Sequence, residues 1–450
     1  MFFNCLTIIR GGGIAPLLLY CLISTANAQH TRLEPVGKIT LQTDEPTALR
    51  LVDYHPSTGI WATNQSHRIV RYDTTGRLLE TKRLTFLTSD WSGDTLYRPD
   101  HLLYSTQLRV GTHTLTFKDW LLILHSPTGD ALMGYLLGGQ GMYPQPTPVD
   151  SSGFYAYLAS STPLLTGNYL YVGIRRSNKR DWPSEFAPRR DTLLADYNDL
   201  YGSYATFPAL ARFPLDLKRD TLPGPEQVRK LAYDKLLGRQ GEHFRTAYKR
   251  GFYRSPSSQQ LFLAWDGRRQ RILTAPINHH HITAYDTSGT QVARFGQRGR
   301  HLRQPYFEGI PAAVFDSLLR AVQSDDSLSQ VLSWFNTCSV YLTESYFDLH
   351  LDPARGLAYR LYQEPVLERP MSELIPYAFQ SRAKLFALLR KDPSLFLQVY
   401  DLATDELVFD EPVPTPLFVL SCIDPQGILW AVTGVDEKAI TVGRFRLVRE

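Results

Sequence analysis

The feature that most constrains this chain is a short strand–turn–strand unit that occurs several times along it. The clearest copy is His281–Phe295, HITAYDTSGTQVARF, in which the turn Asp286–Gly289 separates two runs of alternating apolar residues. Gly adopts positive φ without strain and Asp hydrogen-bonds the backbone that follows it, so both residues are typical of tight turns between antiparallel strands. Similar units are RIVRYDTTGRLLETKRL, LLILHSPTGDALMGYLL and, more loosely, LQVYDLATDELVF. The repetition predicts an all-β fold built from one recurring unit.

A second kind of turn also recurs along the chain. In Ala48–Leu84 the turn His55–Gly59 precedes the hairpin, and the whole segment divides into the strands LRLVDY, GIWAT, RIVRY and RLLETKRL. Comparable turns recur, each followed by an apolar strand, at Asp150–Gly153, Asp352–Gly356 and Asp424–Gly427. Four antiparallel strands in this order form one blade of a β-propeller. The sequence therefore predicts an all-β, six-bladed β-propeller, or seven blades if an insertion contains a degenerate one.

The predicted blades lie near residues 47–84, 95–137, 147–222, 252–296, 337–411 and 417–449. The strand LEPVGKITLQ is available to complete the last blade and close the ring, which would remove exposed sheet edges. These blades are longer than the about 40–45 residues of compact propeller repeats. We assign the surplus to insertions at 175–208, 306–336 and 363–392, and the last two have apolar residues at helical spacing.

The N-terminus is predicted to be a secretory signal peptide. Residues 1–28 contain an apolar run followed by the small-residue cleavage site Ala26-Asn27-Ala28, so the mature chain would begin at Gln29. The protein would then be periplasmic or extracellular. A lipoprotein modified at Cys21 is the less favoured alternative, because Tyr20 is bulky where such sites prefer a small residue. The apolar run of the signal is too short to span a bilayer, and no other stretch of the sequence has about 20 uninterrupted apolar residues, so we expect no transmembrane segment.

Composition and charge narrow the range of partners. The chain is 43% hydrophobic and 12% aromatic, which suits a large core of packed β-sheets. A net charge of +4 over 450 residues is mild and argues against nucleic acid as a partner. Cys338 and Cys422 remain after removal of the signal, and an exported compartment would permit either a disulfide or two buried thiols. We expect a monomer without a cofactor.

Two segments carry a resemblance to known proteins. WATNQSHRIVRYDTTGRLLETKRL and ITAYDTSGTQVARFGQRG resemble NHL-type and TolB-like six-bladed β-propellers, and more narrowly the secreted bacterial propeller proteins that have no assigned activity. The resemblance implies that the four strands of a blade, A to D, run outward from a central channel. The A–B and C–D turns would then lie on one face, and the B–C and D–A loops on the other. The predicted insertions fall in B–C and D–A connections, so that face is the predicted binding face.

A glycine-punctuated loop occurs three times in predicted D–A connections, at Gly138–Gly141, Gly238–Gly241 and Gly296–Gly299. Paired glycines would provide the backbone freedom that a crossing between blades requires. Basic residues beside these loops, together with histidines at two B–C tips, form the predicted ligand-binding set: Arg239, Arg298, Arg300, His301, Arg303, His67 and His279. Guanidinium groups converging on a channel mouth could hold carboxylate or sulfate groups. The alternative is that these charges are simply solvated.

The remaining motifs give little indication of chemistry. His279–His281 suggests a metal, but successive side chains of a regular strand point to opposite faces and cannot all bind one ion. A polar loop tip that runs into the third strand of the blade explains these histidines more simply, so we predict no metal site. The chain has no G-x-S-x-G, H-E-x-x-H, Walker or EF-hand motif, and no catalytic residues are predicted. We therefore expect a binding or interaction module for an acidic glycan or a protein partner. The alternative is a hydrolase or lyase acting on envelope or extracellular polysaccharide, with carboxylates such as Glu344 and Asp348 as acid and base.

Overall fold

The computed structural model describes residues 31–43, 50–55, 59–63, 68–83, 106–110, 113–118, 121–137, 147–148, 154–158, 163–178, 206–215, 228–231, 235–239, 252–253, 261–277, 279–303, 310–311, 344–363 and 394–449. All the secondary structure within these ranges is β-strand, which confirms the predicted all-β class. Across the same ranges, no helix has the length and apolar character needed to cross a membrane. The predicted signal peptide, His67, Cys338 and both segments of helical spacing lie outside the described residues, apart from Ile310–Pro311 and Gln363.

The strands are, in chain order, β1 (Thr31–Gln42), β2 (Arg50–His55), β3 (Gly59–Thr63), β4 (Arg68–Tyr72), β5 (Leu78–Arg83), β6 (Thr106–Val110), β7 (His113–Lys118), β8 (Leu121–His125), β9 (Ala131–Leu137), β10 (Thr147–Pro148), β11 (Phe154–Leu158), β12 (Leu164–Thr166), β13 (Tyr169–Asn178), β14 (Thr206–Pro214), β15 (Val228–Leu231), β16 (Lys235–Arg239), β17 (Phe252–Tyr253), β18 (Leu261–Asp266), β19 (Arg271–Pro276), β20 (Ile282–Asp286), β21 (Gln291–Phe295), β22 (Ile310–Pro311), β23 (Ser345–Asp352), β24 (Leu357–Gln363), β25 (Leu395–Asp401), β26 (Glu406–Pro412), β27 (Val419–Ile423), β28 (Ile428–Val435) and β29 (Ala439–Arg449). Both ends of the predicted insertion 175–208 are thus strand, in β13 and β14.

The strands form several small sheets whose members are nearly all antiparallel. Four sheets have four strands each: β2–β5, β18–β21, β23–β26, and β27–β29 with β1. A fifth joins β6–β9 to β15, and a sixth joins β10–β14 to β16. The short strands β17 and β22 form a pair of their own. The strands β15 and β16 were not expected from the sequence, and β15 lies parallel to β9.

The first described strand pairs with the last. β1 lies antiparallel to β29 from Thr31 opposite Arg449 to Gln42 opposite Ala439, with an irregularity between Pro35 and Gly37. The prediction that the N-terminal strand completes the final sheet is therefore confirmed. Because β29 also pairs with β28, its backbone groups have partners on both sides. The C-terminal strand is consequently not an exposed edge.

The predicted hairpin turns have the expected hydrogen bonds and backbone angles. In the His281–Phe295 unit, Asp286 Oδ1 accepts the N–H of Thr290 at 2.9 Å, and Gly289 has φ of 86°. The equivalent Asp73 Oδ1 accepts the N–H of Thr75 at 2.8 Å. Only glycine adopts such φ values without strain, so the Asp-x-x-Gly pattern follows directly from the turn. The hairpin prediction is confirmed, with β20 and β21 paired in antiparallel register.

The β23–β26 sheet packs between two others, and its second strand is buried on both faces. On one face, Tyr359 and Leu361 join an apolar cluster with residues of β27–β29. On the other face, Ala358 and Tyr400 pack against β18–β21 residues that include Leu273. Full burial of each large apolar side chain contributes about 1.5–3 kcal/mol, so these two layers supply much of the local stability.

A buried ion group fixes the turn end of the contact between β18–β21 and β23–β26. Arg271 Nε donates to Asp266 Oδ2 at 2.8 Å, and its Nη2 donates to Asp405 Oδ1 at 2.7 Å. The side chains of Arg271 and Asp266 are each 4% exposed. Arg271 Nη2 also donates to the carbonyl of Leu402 at 3.0 Å. One guanidinium therefore ties the β18–β19 turn to the β25–β26 turn.

Replacing Arg271 should destabilise the fold strongly. Arg271→Met leaves the buried Asp266 carboxylate without its cation, and removing one partner of a buried pair costs about 3–5 kcal/mol. The matched control is Arg269→Met, since Arg269 lies 3.6 Å from the same Asp405 but its side chain is 41% exposed. The control should lose no more than about 1 kcal/mol. Urea unfolding measures the free energy of unfolding of both variants, and equal losses would contradict the proposed role of Arg271 in the contact between the two sheets.

Candidate functional site

Apart from Arg239, the described candidate residues lie at the ends of β18–β21 and β23–β26 opposite to those tight turns. His279–His281, here called the histidine triplet, leads directly into β20. Gly296–Gly299, here called the GQRG loop, leaves β21. Glu344 directly precedes β23, at the same end. The described part of the B–C connection of β18–β21 and the described ends of the D–A connection between the two sheets therefore lie on one side, as the resemblance implied.

Side chains of the β23–β26 sheet hold the GQRG loop by its backbone. The three backbone contacts are Gln297 N–H to Tyr400 Oη at 3.1 Å, Gly299 N–H to Tyr346 Oη at 3.2 Å, and Arg300 N–H to Asp410 Oδ2 at 3.0 Å. In addition, Gln398 Nε2 donates to the carbonyl of Gln297 at 3.2 Å. Since these partners are buried strand residues, the loop has a fixed position on the sheet.

The two glycines of the GQRG loop serve different purposes. Gly296 has φ of 105°, and a Cβ there would lie 2.4 Å from the carbonyl oxygen of His280. This agrees with the expected need for backbone freedom. Gly299 does not have positive φ, but a Cβ there would lie 2.2 Å from the ring of Tyr362. The second glycine is therefore required for close packing, which the sequence did not indicate.

Arg360 is a buried cation beneath the loop. Its Nη1 donates to the carbonyl of His280 at 3.0 Å, and its Nη2 donates to the carbonyl of Pro276. The guanidinium lies 4.7 Å from the ring centroid of Tyr346, a cation–π contact. Burial lowers the pKa of Arg360 to about 10, so the group is charged at neutral pH. Among the described residues, no carboxylate pairs with it.

Tyrosines at this end of the sheet are neutral hydrogen-bond donors. Tyr362 Oη donates to Asp410 Oδ1 at 2.6 Å, and burial together with this bond raises the pKa of Tyr362 well above its usual range. Burial, and then the charge of Glu344, similarly raise the pKa of Tyr346. Burial raises the pKa of Tyr400 to about 12. These phenols do not ionise at neutral pH, so they position neighbouring groups and do not act as bases.

Three of the predicted ligand-binding residues have defined neighbours. Arg298 Nε donates to Glu344 Oε2 at 2.6 Å; the Arg298 side chain is 34% exposed and that of Glu344 3% exposed. Arg300 pairs with Glu411, and both side chains are exposed. The ring of His301 stacks on Phe396 with centroids 4.7 Å apart, and its Nε2 lies 3.1 Å from the Asp410 carbonyl.

The other predicted residues are divided between different places. Arg303 is exposed and follows the GQRG loop, while His279 is buried and belongs to the histidine triplet. Arg239 is the last residue of β16, opposite Ala209 of β14, and thus belongs to another sheet. His67 lies outside the described residues. The structure therefore brings His279, Arg298, Arg300, His301 and Arg303 to one end of two neighbouring sheets.

Sequence reasoning missed the residues that organise this region. Arg360 and Tyr362 are buried in β24, and Asp410 is buried in β26. One signal was present in β24, LAYRLYQ, where a single arginine interrupts an apolar run. A charged residue is rarely buried without partners, so this pattern indicates a specific polar environment.

The histidine triplet forms a compact group. The ring centroids of His279 and His280 are 4.5 Å apart, those of His280 and His281 4.1 Å apart, and one ring nitrogen of each lies within 4.8 Å of the others. The triplet precedes β20 and is not part of a regular strand. This position agrees with the expected polar loop tip that runs into the third strand of the sheet. The argument that successive rings point to opposite faces applies to a regular strand and therefore does not apply to this segment.

The surroundings keep two of these rings neutral. Burial, followed by the charges of His281 and Arg360, lowers the pKa of His280 to about 3. Burial, followed by the charge of Arg294, lowers the pKa of His281 to about 4. Both rings are therefore uncharged at neutral pH, and the positive charge of this region resides on arginines.

The different roles of the two glycines can be tested with a double-mutant cycle. Gly299→Ala should cost about 1–3 kcal/mol, because the added methyl group overlaps the Tyr362 ring. In the Tyr362→Leu background the same substitution should cost less, which gives a favourable coupling energy. Gly296→Ala is the control, since its new Cβ meets backbone and should show no such coupling. Additive effects of Gly299→Ala and Tyr362→Leu in chemical denaturation would contradict the packing explanation.

Comparisons with known proteins give a likeness of fold. No protein-family model and no curated protein matches this sequence. The chain is similar in structure to a member of the DUF4221 family from Bacteroides vulgatus, with a TM-score of 0.54 and 11% identity over 94% of this chain and 100% of the other. It also matches the periplasmic gluconolactonase of Pseudomonas aeruginosa, with a TM-score of 0.38 and 10% identity over 86% and 78% of the two chains. At such identity the first likeness shows a common fold only.

Proposed function

We propose that the protein is an exported six-bladed β-propeller that binds an anionic ligand, an acidic glycan or an acidic protein surface. Six sheets of four or more strands occur among the described residues, a number that supports six blades. The pairing of β1 with β29 is the contact that ring closure would require. Export rests on the predicted signal peptide at residues 1–28, with lipid attachment at Cys21 as the alternative.

The fixed position of the basic residues after β21 is the observation that carries the proposal. The backbone of Arg300 is bonded to buried Asp410, and Arg298 is bonded to buried Glu344. Positively charged groups held in place by the strands lose little conformational entropy when a ligand binds. Together with exposed Arg303, they present a preorganised cationic surface at the end of the sheets, here called the arginine rim.

The ion pairs of the rim are compatible with anion binding. The Arg300 side chain is 57% exposed and that of Glu411 is 44% exposed, and such surface pairs contribute about 0–1 kcal/mol. A ligand carboxylate or sulfate can therefore replace Glu411 at little cost. The Arg298–Glu344 pair is different, because Glu344 is buried and depends on its cation. Arg298 is thus both a rim residue and a structural one.

The alternative, a hydrolase or lyase acting on polysaccharide, has less support from the chemistry of the site. Lyases that abstract a proton need a base whose pKa lies near the working pH. The phenols of Tyr346 and Tyr362 have raised pKa values, and Glu344 is engaged by Arg298 and Tyr346. This arrangement favours binding over proton abstraction.

Charge removal at the rim should weaken binding of an acidic polysaccharide such as polygalacturonate. Arg300→Gln and Arg303→Gln should each lower affinity several-fold at low salt and reduce its dependence on salt, because screened charge interactions are lost. The control is Arg32→Gln, an equal charge change at an exposed arginine that is paired with Glu34 on β1. Calorimetric titration measures the affinities. An equal loss in the control, or none at the rim, would contradict the proposed site.

The contribution of Arg298 requires a compensated variant. Arg298→Gln alone leaves buried Glu344 unpaired, so reduced binding could result from destabilisation. Arg298→Gln combined with Glu344→Gln removes both charges and should restore stability while leaving polygalacturonate affinity low. If affinity recovers together with stability, Arg298 has a structural role only.

Incubation of the wild-type protein with acidic polysaccharides separates binding from catalysis. We expect a thermal shift without new reducing ends or unsaturated products. Turnover of polygalacturonate would contradict a binding-only function and favour the enzymatic alternative.

A further inference from the structure

The histidine triplet has unsatisfied nitrogen atoms that the proposed anion site does not use. Nδ1 of His280 and Nδ1 of His281 are buried and, in the described part of the chain, have no hydrogen-bond partner. A buried polar atom without a partner is rare in native structures and calls for a specific explanation, such as an ion. The neighbouring Arg360 donates from Nη1 and Nη2 to the carbonyls of His280 and Pro276, and its buried Nε likewise has no partner among the described residues.

We propose that the histidine triplet binds a first-row transition-metal ion such as Zn²⁺. Imidazole nitrogens are preferred ligands for Zn²⁺, Ni²⁺, Co²⁺ and Cu²⁺, whereas Ca²⁺ and Mg²⁺ prefer oxygen. Each of the three histidines offers one ring nitrogen, and these nitrogens lie within 4.8 Å of one another. The buried Nδ1 atoms of His280 and His281, which lack hydrogen-bond partners in the described part of the chain, are the candidate ligands of those two residues. Tetrahedral zinc places its nitrogen ligands about 3.3 Å apart, so small rotations of the rings complete the site.

The fold holds the triplet in place independently of a metal. The carbonyl of His280 accepts a hydrogen bond from Arg360 Nη1, and it also lies beside Gly296 of the GQRG loop. The N–H of His281 donates to His279 Nδ1 at 3.2 Å. Binding through His279 Nδ1 would exchange that long hydrogen bond for a metal bond. A site that is organised in advance loses less entropy when the ion binds.

The charges around the triplet oppose the cation and determine what completes its coordination. Arg294, Arg298 and Arg360 act on the rings, and Glu344 is bonded to Arg298. The net field is positive and reduces the affinity for a divalent ion. The same field favours an anion, such as hydroxide or a carboxylate, in the fourth coordination position. The proposed ion therefore has three protein ligands and an open position of the kind found in catalytic zinc sites.

Titration of the full-length, untagged chain with ZnCl₂ tests the proposal. We expect one ion per chain, no response to CaCl₂, and at least about tenfold weaker binding in His280→Ala and in His281→Ala. The control is His350→Ala, a partly buried histidine of β23 outside the triplet. Thermal unfolding shows whether each variant is folded. Absence of stoichiometric binding by the wild type, or unchanged binding in folded His281→Ala, would overturn the proposal.

A variant that should increase zinc affinity distinguishes binding at the triplet from adventitious binding elsewhere. Arg294 is exposed, and its charge acts on both His280 and His281. Arg294→Gln removes one repelling charge and should increase zinc affinity, most clearly at low salt. The zinc titration uses no anionic ligand, so its result can contradict the zinc site without contradicting the arginine rim, and the reverse also holds. An unchanged zinc affinity in Arg294→Gln would place the bound ion away from the triplet.

Discussion

The seam between the β18–β21 and β23–β26 sheets depends on one buried arginine at each end. Arg271 joins the turn ends through two carboxylates, whereas Arg360 joins the opposite ends through the carbonyls of Pro276 and His280. Apolar residues fill the layer between them, including Leu273 and Tyr400. Transferring a charge from water is costly unless it is paired and hydrogen-bonded, so each arginine permits few alternative arrangements of the sheets.

The two arginines differ in a way that explains where function is expected. Arg271 is neutralised by Asp266 and Asp405, so the turn end of the seam needs no further group. Arg360 donates from two of its nitrogens to neutral carbonyls and lies over the ring of Tyr346, so its positive charge remains. That charge raises the potential at the end of the sheets where the GQRG loop and the histidine triplet lie. Arg360, which holds the two sheets together, thus also produces an electrostatic potential that favours anions.

The turn residues allowed the all-β class and the antiparallel hairpins to be predicted from the sequence, whereas only part of the candidate site could be predicted. Asp286 and Gly289 determine their hairpin through local backbone geometry, which a short motif records. Arg298 and Arg300 were found because charge beside a glycine loop is visible in the chain. Their partners Glu344 and Glu411 are distant in sequence, and only the folded sheets bring them close. Gly299 was assigned a conformational role because its contact, the Tyr362 ring, belongs to another sheet.

The histidine triplet shows why a local rule can fail at a site. The argument against a shared ion assumed strand geometry, but β20 begins only at Ile282, and the three preceding residues gather their rings on one side. Burial, followed by the charges of neighbouring groups, lowers the pKa of His280 and of His281, and the neutral rings keep the nitrogen lone pairs that a metal requires. A cation bound there would add to the positive field of the arginine rim. By linkage, an anion at the rim would then strengthen metal binding as much as the metal strengthens anion binding, so each proposed ligand becomes a reporter of the other.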